Sequence, residues 1–347
     1  MKIIIASSFT PFAQGGATVI VDSLADAIRA QGHRVEVLAL PFHPQPEALL
    51  EQMLSFRLID LSQHGDQLIA LRPPSYLLRH PNKVVWFIHH HRGAYDLWGT
   101  RYQDIPNSPE GLRIRDSIIH ADNVALREAK RLYCNSQVMA DRLRRFNGLE
   151  AEVLYPPLAQ PERYYQDGQG DYILCVSRLV HHKRQWLAID ALRHTQTPVR
   201  LVLVGQPDPE GDSYARQLAA MSQEGGLGGR VRITSNWIPE SEKVELFAQC
   251  LAVIYMPVDE DSYGYPTLEA LQAGKPVITC SDSGGTRELI VDGETGLVTA
   301  PDPEAIAQAM DRLYQDRAGA ARMGEAGRQR IAELGIGWDK VLRSLLA

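Results

Sequence analysis

Two doubly wound α/β domains, each built on a parallel sheet, are the architecture this sequence predicts. The chain has 347 residues, enough for two domains of ordinary size. Its first forty residues run strand, loop, helix, strand, the unit that generates a parallel sheet. That alternation halts at Leu154-Tyr155-Pro156-Pro157-Leu158 and begins again beyond it. Two prolines in a row favour an extended connector, because each disfavours the helical conformation of the residue before it.

Taken in order, Lys2 to Ser7 is a short apolar run of the kind found in buried parallel strands. Thr10 to Gly16 is a loop, and Ala17 to Ala30 places Ile20, Leu24, Ala27 and Ile28 at helical spacing. Gly32 ends that helix, and Val35 to Leu40 is the second strand. Further strands are expected at Leu68 to Leu71, Val84 to His89 and Leu132 to Asn135. Helices are expected at Gly111 to His120, Asp122 to Lys130 and Gln137 to Phe146. Beyond the connector, strands at Tyr172 to Val176, Val199 to Val204, Val231 to Thr234 and Leu251 to Met256 alternate with helices at Arg184 to Leu192, Ser213 to Glu224 and Ser241 to Gln249. The expected domains are residues 1–157 and 158–330. The tail, about 331–347 with a helix at Trp338 to Leu346, rejoins the first.

A hydrophobic content of 44% and a charged content of 22% are those of a soluble globular protein. A net charge of −6 leaves no electrostatic footprint for nucleic acid. The charge is uneven, +1 over residues 1–157 and −7 over the rest. Basic residues of the first half gather at Arg142, Arg144 and Arg145, after Arg127, Lys130 and Arg131. They read as a solvated helix face, or at most as a peripheral contact for anionic lipid. The cysteines, Cys134, Cys175, Cys250 and Cys280, form no C-x-x-C pair and sit in or beside apolar stretches. They fit buried small hydrophobes in a reducing compartment. The N-terminus lacks a long apolar signal region, and no window approaches about 18 uninterrupted apolar residues. A cytoplasmic location is expected.

The most informative stretch is DSYGYPTLEALQAGKPVIT, Asp261 to Thr279. Asp261 and Glu269 stand eight positions apart, with the turn Gly264-Tyr265-Pro266-Thr267 between them. A helix is expected over Leu268 to Ala273, closed by Gly274, and a strand over Pro276 to Thr279. Glu269 is therefore expected in the first helical turn, beside free N–H groups. Those groups and the helix dipole attract an anion such as a diphosphate, and a carboxylate beside them can accept hydrogen bonds from a sugar diol. Together they describe a nucleotide-sugar pocket. The competing explanation is an acidic residue placed near a helix start to offset its dipole.

Other polar runs fall at strand carboxyl ends, where ligands bind in parallel α/β sheets. Arg178 and Lys183, in Ser177-Arg178-Leu179-Val180-His181-His182-Lys183-Arg184, would neutralise a diphosphate, unless this is an ordinary basic loop. Gly15-Gly16 permits close backbone approach, or simply makes a turn. It lacks the G-x-G-x-x-G spacing of a nicotinamide site. His89-His90-His91-Arg92 follows an apolar strand. Adjacent residues of an extended chain point to opposite faces, so contact with a sugar or an acceptor suits them better than gripping one metal ion. Asp259-Glu260-Asp261 has D-x-D form but runs straight into the helix motif. Asp282-Ser283-Gly284-Gly285-Thr286-Arg287-Glu288 is another strand-to-helix turn at the same edge.

Together these residues resemble the retaining glycosyltransferases of family 4, also known as group 1. The family pattern E-x7-E is present as Asp261-x7-Glu269, and R-L-x-x-x-K as Arg178 to Lys183. The glycine-rich first loop is present as Gly15-Gly16, and D-x-G-G-x-x-E as Asp282 to Glu288. The resemblance spans nearly the whole chain and is densest from Ile173 to Thr299. It implies the GT-B fold, two facing Rossmann-like domains with parallel sheets and an interdomain cleft, the first on the acceptor side and the second binding the nucleotide sugar. It implies that Glu269 binds the ribose hydroxyls, and that Arg178 and Lys183 bind the diphosphate. Asp261 and the backbone of Gly264, Tyr265, Pro266 and Thr267 would hold the donor sugar and phosphate. Gly15 and Gly16 would approach the donor from the first domain, and Trp237 and Ile238, after Asn236, would lie near the base. His89 occupies the position of a histidine near the transferred sugar, with His91 as second choice. The first acidic position is Asp rather than Glu, with Glu260 beside it, which leaves the sugar identity open.

The implied reaction is transfer of a hexose from a nucleoside diphosphate sugar to a hydroxyl acceptor, with retention at the anomeric carbon, in glycan or glycoconjugate biosynthesis. Arg178, Lys183 and the helix N-terminus would stabilise the leaving diphosphate, so no metal and no further cofactor is required. A nucleotide-sugar epimerase on the same fold, using His89 or Asp261 as acid and base, and a non-catalytic sugar-nucleotide-binding module are the alternatives. The base, sugar and acceptor are not legible.

Overall fold

The strand that opens the chain, β1 (Lys2–Phe9), is buried along most of its length, as a central parallel strand requires. The computed structural model describes residues 1–11, 16–43, 45–208 and 211–347. These fall into two units, one of Met1–Ala159 with Gly337–Ala347 and one of Gln160–Ile336. The structure of each is described by itself.

In the first unit β1 is followed by α1 (Gly16–Ala30), β2 (Arg34–Pro41), α2 (Pro46–Leu58), β3 (Gln67–Ala70) and β4 (Lys83–Phe87). Then come α3 (Pro109–Arg127), β5 (Arg131–Cys134), α4 (Gln137–Asn147) and β6 (Glu152–Val153). The sheet order is β2-β1-β3-β4-β5-β6, parallel throughout. The chain thus reverses its direction of winding between β1 and β3. Its core joins the buried faces of β3 and β4 to Leu49, Met53 and Phe56 of α2 and to Ile118, Ala125 and Leu126 of α3.

In the second unit the order is β7 (Tyr172–Val176), α5 (Gln185–Leu192), β8 (Arg200–Val204), α6 (Ser213–Gln223), β9 (Val231–Thr234) and α7 (Glu240–Gln249). It continues with β10 (Ala252–Ile254), α8 (Tyr265–Gln272), β11 (Val277–Cys280), β12 (Gly296–Thr299), α9 (Pro303–Gln315) and α10 (Arg317–Glu333). This sheet is also parallel, ordered β12-β11-β10-β7-β8-β9. Winding runs outward from β7 through β8 and β9, then restarts at β10 on the other side of β7. The point of reversal lies between β7 and β10, and such points open a crevice at the strand carboxyl ends.

The last helix, α11 (Trp338–Leu346), belongs to the first unit. It buries Val341, Leu342 and Leu345. Its final carbonyls are taken by that unit's sheet. Gln67 donates to Leu345 O at 2.7 Å, Tyr133 Oη to Ser344 O at 2.9 Å and Arg131 to Ser344 O at 3.2 Å. Those carbonyls have no partner within a helix, so external donors hold the end in place. Residues 331–336, expected to go with this tail, lie in the second unit.

Three expectations need correction. Gly111 to His120 and Asp122 to Lys130 are one helix, α3. Asp122 does not start a new segment, because its carboxylate turns inward and accepts from Tyr76 Oη at 2.8 Å and Tyr95 Oη at 2.7 Å. The helix expected over Leu268 to Ala273 begins three residues earlier, at Tyr265. The strand expected to reach His89 stops at Phe87. The four cysteines are buried, and none is in a disulfide among the described residues. No helix among the described residues is long and apolar enough to cross a membrane.

Candidate active site

The carboxyl ends of β7 and β10, on either side of the reversal point, carry most of the residues singled out in the second unit. Lys183 comes from the loop after β7. Its ammonium donates to Tyr255 Oη at 2.9 Å and pairs with Glu260, both from the stretch after β10. It also lies 5.2 Å from the centre of the Tyr255 ring. Arg178, on the same loop as Lys183, is exposed, and its charge acts on the Tyr255 hydroxyl. Burial raises the pKa of that hydroxyl well above the usual tyrosine value, and Glu260 adds to the effect. Tyr255 therefore stays a neutral phenol that can hold Lys183 in place. Two cations and one acidic residue thus share a partly buried strand edge.

This edge is held by Arg184, a residue the sequence reading did not single out. It adopts a left-handed backbone, φ 56° and ψ 35°, which non-glycine residues seldom occupy. The conformation turns its buried guanidinium under the neighbouring loops. There it donates to Met256 O at 2.6 Å, Pro257 O at 2.9 Å and Ser283 Oγ at 3.2 Å. A bidentate pair to Asp282 completes the set, at 2.7 and 2.8 Å. One side chain so joins the loops after β7, β10 and β11. The Asp282 to Glu288 turn, expected at the ligand edge, does this supporting work. Gly285 N donates to Glu260 O at 2.9 Å, and Asp259 N to Asp282 O at 2.9 Å. Gly284, at φ +60°, has no room for a Cβ, which would lie 2.4 Å from Glu260 O.

Gly264 opens α8 at φ +72°. A Cβ there would lie 2.4 Å from Cε1 of Tyr255, so glycine is required by backbone and packing together. Tyr265, Pro266 and Thr267 form the first helical turn, with Pro266 where its missing N–H costs nothing. Thr267 is fully buried, and its Oγ1 has no hydrogen-bond partner among the described residues. Asp261 and Glu260 are partly buried on the loop leading into this turn.

Glu269 is not in the first turn, and no acidic residue is. It sits one turn further on, 5% exposed, so free first-turn amides do not account for its place. Its Oε1 accepts from Tyr164 Oη at 2.8 Å and from Lys243 Nζ at 2.7 Å. Both donors also reach Glu240, Tyr164 at 2.9 Å and Lys243 at 2.9 Å. Burial works against the charge on Lys243, but the two carboxylates, Glu269 first, outweigh it and hold its pKa above the usual lysine value. Trp237 stands 60% exposed after β9, with Ile238 buried beside it. Neither Tyr164 nor Lys243 carries a sequence signal. Each looks like an ordinary surface residue until α7, α8 and the start of the unit are brought together.

The first-unit residues form a separate set. Gly15 lies outside the described residues, and Gly16 is the first residue of α1. His89 follows β4 and turns its ring back on its own chain, with Nδ1 2.7 Å from His90 O. A carbonyl only accepts, so Nδ1 carries the proton and Nε2 is left as an acceptor. Burial, aided by the charge of Arg72, lowers the His89 pKa to about 3, so the ring is neutral near pH 7. His90 is buried against Phe87, Tyr95 and Phe146 and bonds Asn147 through Nε2 at 2.8 Å. His91 Nε2 stands 3.5 Å from Asp104. The three rings have three different surroundings, as their alternation predicts. The basic cluster is likewise divided. Arg142 is buried beside Asp96, Arg144 pairs with Glu150 and Asp141, and Arg145 stacks on Phe146.

Three likenesses place this geometry. The chain is similar to the alpha-1,3/1,6-mannosyltransferase ALG2 of Mus musculus, 28% identical over 293 residues that cover 77% of this chain and 68% of the mouse protein. Its fold is similar to that of sucrose-phosphate synthase from Thermosynechococcus elongatus, with a TM-score of 0.77 and 20% identity over 99% of this chain and 96% of that one. It is also similar to Anabaena HepE, solved in complex with UDP and glucose, with a TM-score of 0.73 and 20% identity over 100% of this chain and 98% of that one. These two folds are of the GT-B type, two Rossmann-like α/β units, and this chain shares it. Residues 159–330, which hold the whole second sheet and the second-unit strand ends described above, match the family described as glycosyl transferases group 1, and the chain belongs to that family.

Proposed function

We propose that the protein is a retaining glycosyltransferase of family 4 that moves a hexose from a nucleoside diphosphate sugar to a hydroxyl acceptor in glycan or glycoconjugate biosynthesis. One observation carries this reading: Lys183, Tyr255 and Glu260 meet at the reversal point of the second sheet, beside Arg178. A diphosphate entering there would take Lys183 from Glu260 and draw Arg178 onto its second phosphate. Two cations, one with a planar fork, then match the charge of the leaving group, so the reaction needs no metal. Each such charge-assisted bond contributes roughly 1.5–3 kcal/mol.

In the reaction, the bond from the anomeric carbon to the diphosphate oxygen breaks, and the acceptor oxygen bonds that carbon on the same face. The departing phosphate takes the acceptor proton, so no protein nucleophile is invoked. Glu269 accepts from the ribose diol, Asp261 and the Gly264 to Thr267 backbone hold the sugar and its phosphate, and Trp237 and Ile238 lie by the base. His89, with Nε2 as acceptor, and Gly16 are assigned to the donor on the family resemblance, and the first unit to the acceptor. The relative named a mannosyltransferase and the neighbour solved with UDP and glucose both fit a hexosyl donor. Buried cysteines outside any disulfide among the described residues fit action in the cytoplasm.

Calorimetry with UDP and GDP tests the site. The wild type is expected to bind at least one of them, and Glu269→Ala to bind it about tenfold more weakly or worse, since a charged acceptor of two hydroxyls is lost. Undiminished affinity in Glu269→Ala would remove the ribose assignment.

A further inference from the structure

Glu269 is held by residues that no motif of the chain contains. Two donors, Tyr164 Oη at 2.8 Å and Lys243 Nζ at 2.7 Å, converge on the same oxygen, Oε1. The other oxygen, Oε2, makes no hydrogen bond among the described residues and is not one of the sealed polar atoms. A carboxylate fixed through one oxygen cannot rotate freely, and its second oxygen is aimed. Lys243 also supplies the countercharge that a side chain only 7% exposed requires.

We propose that Tyr164 and Lys243 are positioning residues for the nucleoside ribose: they lock Glu269 so that Oε2 accepts from the 2′,3′-diol, and so set the preference for ribonucleotide donors. The proposal rests on the reading of Glu269 as the ribose acceptor and adds how that acceptor is oriented. Lys243 lies on α7, which begins directly after Trp237-Ile238-Pro239. Its other partner, Glu240 at 2.9 Å, is the first residue of that helix. The Lys243 ammonium therefore ties the loop assigned to the base to the carboxylate assigned to the sugar. Tyr164 has one proton and two carboxylates within reach, 2.8 Å from Glu269 and 2.9 Å from Glu240, so it donates fully to one at a time. Lys243, with three protons, serves both carboxylates at once and carries the larger share.

The test compares affinities for UDP and GDP with those for their 2′,3′-dideoxy forms, in wild type, Glu269→Ala, Tyr164→Phe, Lys243→Met and Lys243→Arg. Tyr164→Phe keeps the ring, which lies 5.9 Å from that of Phe247, so it reports even where Lys243→Met does not fold. Wild type is expected to favour the ribose form. Lys243→Met should lose about tenfold in affinity for it and Tyr164→Phe about threefold, with dideoxy affinity unchanged and Lys243→Arg intermediate. A merely structural role would weaken ribose and dideoxy forms alike, and that result overturns the proposal, as does full ribose preference in both Tyr164→Phe and Lys243→Met. If Glu269→Ala itself keeps the preference, the ribose reading falls and the positioning role falls with it. A preference lost in Glu269→Ala but kept in the other variants overturns the positioning role alone.

Discussion

Two polar strand ends of this molecule resemble each other in sequence and differ in construction. In the first unit, His89, His90 and His91 follow a single strand, β4, and each is absorbed by its own neighbours: a backbone carbonyl, Asn147, and the vicinity of Asp104. In the second unit, Lys183, Tyr255 and Glu260 come from the loops after β7 and β10 and meet, and Arg184, next to Lys183, meets Asp282 from the loop after β11. Three titratable residues in a row do not make a cluster, because alternation sends them apart. Residues about 75 positions apart do, where a parallel sheet reverses its winding and its strand ends open together. The distinction lies in topology rather than composition.

The largest effect expected from breaking the second arrangement is that of Arg184→Met. It removes the donor that links three loops and leaves Met256 O and Pro257 O, at 2.6 and 2.9 Å from the guanidinium, without that partner. Breaking a buried pair costs roughly 3–5 kcal/mol, and the 46% exposure of Asp282 moves the expectation to the lower end, about 3 kcal/mol. The midpoint of urea unfolding of the second unit checks it. A loss under about 1 kcal/mol, the scale of an exposed pair, would show that the loops hold one another without Arg184.

Gly264→Ala ranks next and sharpens the comparison, since the second site depends on close approach. The backbone at φ 72° and ψ 134°, a region essentially confined to glycine, costs a non-glycine residue roughly 1–3 kcal/mol, and the new methyl would strike the Tyr255 ring. Displacing that ring takes the hydroxyl from Lys183. Nucleoside diphosphate binding should therefore suffer beyond the stability loss, and Gly264→Ala should cost less stability in a Tyr255→Ala background than in the wild type. An equal cost of Gly264→Ala in both backgrounds would deny the contact.

How much of this was legible follows from the same distinction. Parallel strands buried on both faces are near-continuous apolar runs, so Tyr172–Val176 stands at its expected bounds. The motif residues Arg178, Lys183, Asp261 and Gly264 could be picked out because each sits at a strand end in a local pattern. Arg184 could not, since its conformation and its four partners are tertiary, although its place next to Lys183 and before α5 was in view. Tyr164 and Lys243 carried no signal, because what gives them meaning is Glu269, 105 and 26 positions away. The inward turn of Asp122 was hidden for the same reason. A carboxylate in a helical run reads as surface until two tyrosines are found above it.

The smallest expected effect probes the first unit, where the polar groups answer to one another, and it is a matter of slope with pH. Burial lowers His89 to about 3 and His90 to about 4, from an ordinary 6.5. The unfolded chain then binds more protons than the native one below pH 6.5, so these rings favour folding above that value and the gain is lost as pH falls toward 3. Asp122 runs the other way. Burial raises it from 3.8 to about 6, so its contribution is complete below 3.8 and disappears as pH rises through 6. Over pH 4 to 6 it partly cancels the histidines. Asp122→Asn removes the cancelling group while keeping an acceptor for Tyr76 or Tyr95, and the decline in stability from pH 6 to pH 4 should become steeper. Urea titrations at pH 4, 5, 6 and 7, followed through the Trp86 indole that donates to Leu154 O at 2.8 Å in a background where Trp98, Trp186, Trp237 and Trp338 are replaced by phenylalanine, read the first unit by itself. An unchanged or shallower decline would mean that Asp122 stays ionised across this range, held by its two tyrosine donors despite its burial.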